Sequence, residues 1–232
     1  MIKNVEYKKW LLCALKLLVV ICSIGGVVMG IIFAKRDGYS HWSRRIAYFT
    51  AQSNIWIGSL FLILLILPIV NNCAYVKYKR LLYTIKYVFT VSITMTALVF
   101  CCFLAPFADE SYHVWSIMSL FTHVFSPAFA VADFFLDDYK IAFNIKTTFL
   151  ALIPPLIYVI VTAILSVFNF DFGRGENYPY FFMNHFSPAG VFGFSSVKPF
   201  FVGSFYWILL LALLTTSIAF LYAKIKNKAL SR

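Results

Sequence analysis

Long apolar runs separated by short polar ones dominate the chain, at roughly 10–34, 46–70, 82–107, 113–136, 147–169 and 200–223. Each is long enough to cross about 30 Å of hydrocarbon as a helix rising about 1.5 Å per residue. None shows the two-residue alternation of a membrane barrel strand, and in lipid a helix satisfies its own backbone polar groups. The pattern predicts an all-α, polytopic integral membrane protein, with residues 1–232 forming one domain and six transmembrane helices in a single bundle. The apolar stretch that follows Lys8 and Lys9 continues to about Ala34, too long for the core of a secretion signal, so it is expected to be retained as the first span. Neither an internal repeat nor a soluble domain is visible, and the longest connection, 170–199, is rich in aromatics.

Composition supports the same class. Apolar and aromatic residues make up 62% of the chain and charged ones 12%, too little polar surface for a domain bathed in water. The net charge of +11 comes from Lys and Arg placed mainly between the apolar runs, with no basic face carrying interleaved aromatics. That arrangement points to anionic lipid headgroups as partners and away from nucleic acid. Counting thirteen basic residues on the N-terminal side, Lys86 among them, against six on the other (Lys35, Arg36, Arg44, Arg45, Arg174, Lys198) predicts both termini in the cytoplasm and a plasma-membrane location. Cys13, Cys22, Cys73, Cys101 and Cys102 form no paired motif and read as buried small hydrophobes. With no metal-ligand spacing and no glycine-rich phosphate loop, no cofactor is implied. The oligomeric state leaves no mark in the sequence.

Polar groups inside the membrane are costly, so function is sought where they cluster. In the second window Thr50, Ser53 and Asn54 share one helical face while Gln52 points elsewhere. In the fourth, His123 lies on a stripe with Ser116, Ser119 and Ser126, and Asp133 continues it about 15 Å away, too far to orient the imidazole. Serine, threonine and asparagine commonly serve as contacts between membrane helices, which is the simpler reading of Ser53, Asn54, the serine stripe and Thr90, Ser92, Thr94 and Thr96. His123 is less easily explained that way, whereas His41, His113 and His185 fall at interfaces or in loops. Pro127 and the Pro154–Pro155 pair predict kinks, with Ser126 close enough to satisfy a freed carbonyl. The aromatic segment 177–188 reads either as a lid over the bundle or as an interfacial belt.

The segments Phe49-Thr50-Ala51-Gln52-Ser53-Asn54, His123-Val124-Phe125-Ser126-Pro127 with Ala132-Asp133-Phe134, Pro154-Pro155-Leu156-Ile157-Tyr158 and Tyr178-Pro179-Tyr180 occur in that order. Over most of its length the chain thereby resembles a group of uncharacterised bacterial six-span membrane proteins. That group is distantly similar to the androgen-induced and androgen-dependent TFPI-regulating proteins, membrane threonine hydrolases that cleave fatty-acid esters of hydroxy fatty acids. The resemblance implies Thr50 as nucleophile and His123 as its base. The Gln-Ser-Asn run after Thr50 follows the bacterial group and departs from the eukaryotic enzymes, so fold transfers more directly than chemistry.

Such chemistry is coherent: a threonine hydroxyl attacks an ester only when a base takes its proton, and a histidine kept neutral by desolvation can be that base. Ser53 or Asn54 is then expected to donate to the oxyanion, and Ser119 and Ser126 to help bind a lipid-like ester. Two other classes compete, a transporter or small-molecule binder built on His123 and a scaffold without catalysis. The spans show no paired acids and no repeat symmetry, which disfavours transport. A cavity joining Thr50 to His123 and open towards lipid favours the hydrolase, and a tightly packed interior favours the scaffold.

Overall fold

The computed structural model describes residues 2–107, 114–139, 141–173 and 175–230, so His113, Lys140 and Arg174 lie outside the described residues. Six helices are long and apolar enough to cross a membrane: Glu6–Ile32, Phe49–Val70, Asn72–Phe107, Ile117–Leu136, Ile145–Val167 and Ser204–Leu230, termed spans one to six. The protein is all-α and multi-pass. Span three begins ten residues before the apolar window at 82, because the basic stretch with Lys77, Lys79 and Arg80 continues the same helix.

Spans one to four pack against one another, and span six lies along span three, where the Tyr87 hydroxyl donates to the Ala219 carbonyl at 2.7 Å. Two glycines set the closeness of span one. A side chain at Gly58 would collide with Ser23 and Ile24, and one at Gly26 with Thr122. Span five packs on spans three and six through its first turns, and along Ile153–Val167 it buries Tyr158, Thr162 and Ser166, with Tyr158 set against Phe49 of span two. Its outward residues, among them Ile157, Ile160 and Ile164, are exposed, as lipid-facing positions should be.

Prolines break the helices where the sequence places them. Pro154 and Pro155 open the regular part of span five after a tight turn at Leu150–Leu152. Pro127 follows a π-helical turn at Phe121–Phe125, in which the Ser126 N–H reaches back five residues to the Phe121 carbonyl. Span three has a matching π turn at Phe100–Leu104, just ahead of Pro106. A proline lacks the N–H its helix needs and crowds the carbonyl four residues back, and a widened turn absorbs both effects. Ser126 does not repair the break as expected: its hydroxyl is buried and has no hydrogen-bond partner. Of the five cysteines only Cys22 is buried, while Cys13, Cys73, Cys101 and Cys102 are exposed. In lipid an exposed thiol carries little penalty, so burial is not required of it.

At one end of the bundle an ion cluster joins spans one, three, four and six. The Lys86 ammonium lies 2.5 Å from Asp133 and 2.8 Å from Asp137, and Lys16 reaches Asp133 at 2.6 Å. Tyr83 donates to the Asp137 carboxylate and Lys226 to its backbone carbonyl. Lys86 and Asp133 are both fully buried. Lys86 is therefore no loop charge, and the polar interior is richer than the apolar windows suggested. Burial pushes the Asp137 carboxyl up, but the Lys86 and Lys16 ammonium groups outweigh it and hold it at about 2.

Candidate active site

Thr50 and His123 meet at the opposite end. Thr50 sits in the first turn of span two, and its Oγ1 lies 3.3 Å from His123 Nε2. His123 starts deeper in its own helix, yet side chains on a helix lean towards its N-terminus. The imidazole follows this rule and climbs back one turn, its Nδ1 lying 3.1 Å from the Ser119 carbonyl oxygen. That lean closes much of the depth difference.

The same contact decides the tautomer. A carbonyl can only accept, so Nδ1 carries the proton and Nε2 presents its lone pair to the Thr50 hydroxyl. The Thr122 hydroxyl, which donates to the Met118 carbonyl, lies 3.0 Å from Nδ1 and completes its acceptors. Phe100 stacks on the imidazole at 3.8 Å between centroids and fixes the ring plane. Both rings come from π turns, so two proline-linked distortions deliver the histidine and its stacking partner.

Ser53 and Asn54 do something other than bind an oxyanion. Asn54 Nδ2 donates to the Thr50 carbonyl at 2.8 Å and to the Thr122 carbonyl at 3.1 Å, so both its hydrogens are engaged. It ties the turn carrying Thr50 to the turn carrying His123. Ser53 lies 3.2 Å from the Thr50 carbonyl and 3.0 Å from the Thr96 hydroxyl. Ser119 contributes its backbone carbonyl, with its hydroxyl held by Ser116, and Ser126 makes no polar contact with the pair. Gln52 points elsewhere, to the Ile46 carbonyl. His41 caps the turn at Trp42–Ala47, and His185 pairs with Ser204 in the loop before span six.

Tyr180 belongs to the aromatic loop and to the Tyr178-Pro179-Tyr180 motif, neither of which assigned it a role. Its hydroxyl accepts from the Thr50 N–H at 3.3 Å and lies 3.4 Å from Thr50 Oγ1, so the loop does reach down over the bundle. Tyr48 and Tyr158 flank its ring and Phe182 stacks on it at 5.1 Å. Burial pushes the Tyr180 phenol up to about 12, so at neutral pH it keeps its proton and can donate it in a hydrogen bond.

Two cavities converge on these groups. One, of about 60 Å³, is almost wholly apolar and runs between spans three, five and six past Met95, Val99, Val159 and Leu211. The other, of about 300 Å³, holds His123, Arg45, Tyr39 and Tyr48. Thr50 and Tyr180 line both. Arg45 is paired with Asp37, and its Nε is buried without a hydrogen-bond partner. Among the described residues no three His, Cys, Asp or Glu side chains gather to hold a metal. Comparison of the chain with family models, with curated proteins and with solved structures finds no match. The functional reading therefore rests on this geometry and on the resemblance read from the short motifs.

Proposed function

We propose that the protein is a membrane-embedded hydrolase of lipid esters, with Thr50 as nucleophile and His123 as general base. The observation that carries this reading is Thr50 Oγ1 within 3.3 Å of an imidazole nitrogen whose lone pair faces it, at the junction of an apolar and a partly polar cavity. Neither a transporter nor a scaffold needs that junction. His123 Nε2 takes the Thr50 proton as Oγ1 attacks the ester carbonyl carbon. The carbonyl oxygen becomes an oxyanion and accepts from the Tyr180 hydroxyl, beside the N–H groups at the start of span two. Collapse breaks the ester C–O bond, and the imidazolium returns its proton to the leaving alcohol. Water, deprotonated by His123, then releases the acid and frees Thr50.

In this reading the acyl chain enters by the apolar cavity and the alcohol half faces the larger, partly polar one. Arg45 lines the second cavity, which suits an alcohol half that bears an acid, as in the esters cleaved by the eukaryotic family that the sequence resembles. The basic-residue asymmetry supports both termini being cytoplasmic, and in a plasma membrane the site would then face the outer leaflet.

The direct test is reaction of the purified protein with a lipid-like activated ester or fluorophosphonate, followed by peptide mapping. The adduct is expected on Thr50 and is expected to vanish in Thr50→Ala. An adduct that survives this substitution would sink the assignment. Tyr180→Phe is expected to slow ester hydrolysis by about 10²-fold, mainly in kcat, since it removes one oxyanion donor. Unchanged kcat in that variant would take Tyr180 out of the mechanism.

A further inference from the structure

Besides the two cavities at Thr50, a third cleft of about 280 Å³ lies between span two, with Phe89 of span three, and span five. Its walls are Trp56 and Phe89 on one side and Ile153, Pro154, Ile157 and Val161 on the other. Trp56 and Phe89 stack to form a smooth aromatic floor. Gln52 and Thr162 also line the cleft, but Gln52 is bonded to the Ile46 carbonyl and Thr162 to the Tyr158 carbonyl. A water molecule needs two to four polar partners to settle in a cavity, and the lining of this cleft is predominantly apolar. The flanking Ile157 is 57% exposed on a membrane-spanning face, so the cleft is continuous with the surrounding hydrocarbon. Empty apolar space facing lipid tails is filled by a lipid tail.

Tyr158 links this cleft to the active-site chamber, since it lines both. Pro154 faces the cleft and its neighbour Pro155 the chamber, so one turn of span five is the partition. We propose that the cleft between spans two and five binds the acyl chain of a membrane lipid and is the doorway by which such a chain passes Tyr158 to reach Thr50. The binding part stands by itself, and the doorway part rests on the hydrolase reading.

The test uses the full-length protein in liposomes of phosphatidylcholine that carries a diazirine on one acyl chain. After photolysis, adducts are expected to be concentrated on the cleft residues, severalfold above equally exposed positions such as Leu213 on span six. Ile157→Trp and Val161→Trp, both at exposed positions, are expected to fill the cleft and reduce those adducts severalfold. Adducts spread evenly over the lipid-facing surface, or indifferent to both substitutions, would overturn the binding site. In a second arm, each variant is expected to lower kcat/KM severalfold for a long-chain ester dissolved in the bilayer while sparing a short water-soluble ester. Equal turnover of the long-chain ester by variants and wild type would overturn the doorway and leave the binding site. A wild type that cleaves neither ester, yet shows concentrated adducts, would remove the hydrolase reading and with it the doorway, and would leave the lipid site established.

Discussion

His123→Ala is expected to lower ester hydrolysis by about 10³-fold, with little change in KM for a substrate held by the apolar cavity. The size follows from what the imidazole does. Without it the Thr50 hydroxyl must lose its proton unaided, and no other basic side chain is shown within reach of Oγ1. Tyr180 is the remaining polar neighbour, and its raised pKa makes it a donor and a poor base. Because nucleophile and base act as a unit, Thr50→Ala combined with His123→Ala is expected to be no slower than either alone. Additive losses would mean that the two residues serve separate steps. Steady-state hydrolysis in detergent micelles measures all three variants, with probe-free thermal unfolding as the control for folding.

The second large effect falls at the other end of the molecule. Lys86→Met is expected to destabilise the protein by about 3–5 kcal/mol, because it leaves buried carboxylates short of their counter-charge. Lys86 is fully buried and sits between Asp133 and Asp137, so no solvent exists to take over its role. For a chain of this size that corresponds to an apparent melting temperature lower by about 10 °C. Lys86→Met together with Asp133→Leu is expected to regain part of the loss, since removing both members of a buried pair costs less than removing one. A single variant as stable as the wild type would mean that water enters the cluster. The catalytic pair lies at the opposite end, so hydrolysis measured well below the melting temperature is expected to change little.

The six spans were legible because each depends only on a local property, an apolar run long enough to cross hydrocarbon, which needs no knowledge of neighbours. Pro127 and the Pro154–Pro155 pair were legible as breaks for the same reason, since a missing N–H acts within one turn. The shared face of Thr50, Ser53 and Asn54 followed from helical periodicity and is present as read.

What helical periodicity cannot convey is which neighbour each polar group finds, and here the tertiary structure decided. Ser53 and Asn54 read first as contacts between helices and, under the hydrolase reading, as oxyanion donors; their hydrogen bonds go to backbone carbonyls and to Thr96, because a buried amide or hydroxyl takes the nearest acceptor. Tyr180 stands 130 residues from Thr50 in the chain, and only loop packing brings its hydroxyl to the nucleophile. Lys86 looked like one more basic residue near a loop until Asp133 and Asp137 from span four and its end closed around it. The sequence by itself determined where the helices run and which of them carry polar groups. The pairing of Thr50 with His123, the phenol above them and the cavities that meet there are long-range contacts, settled only when the spans pack.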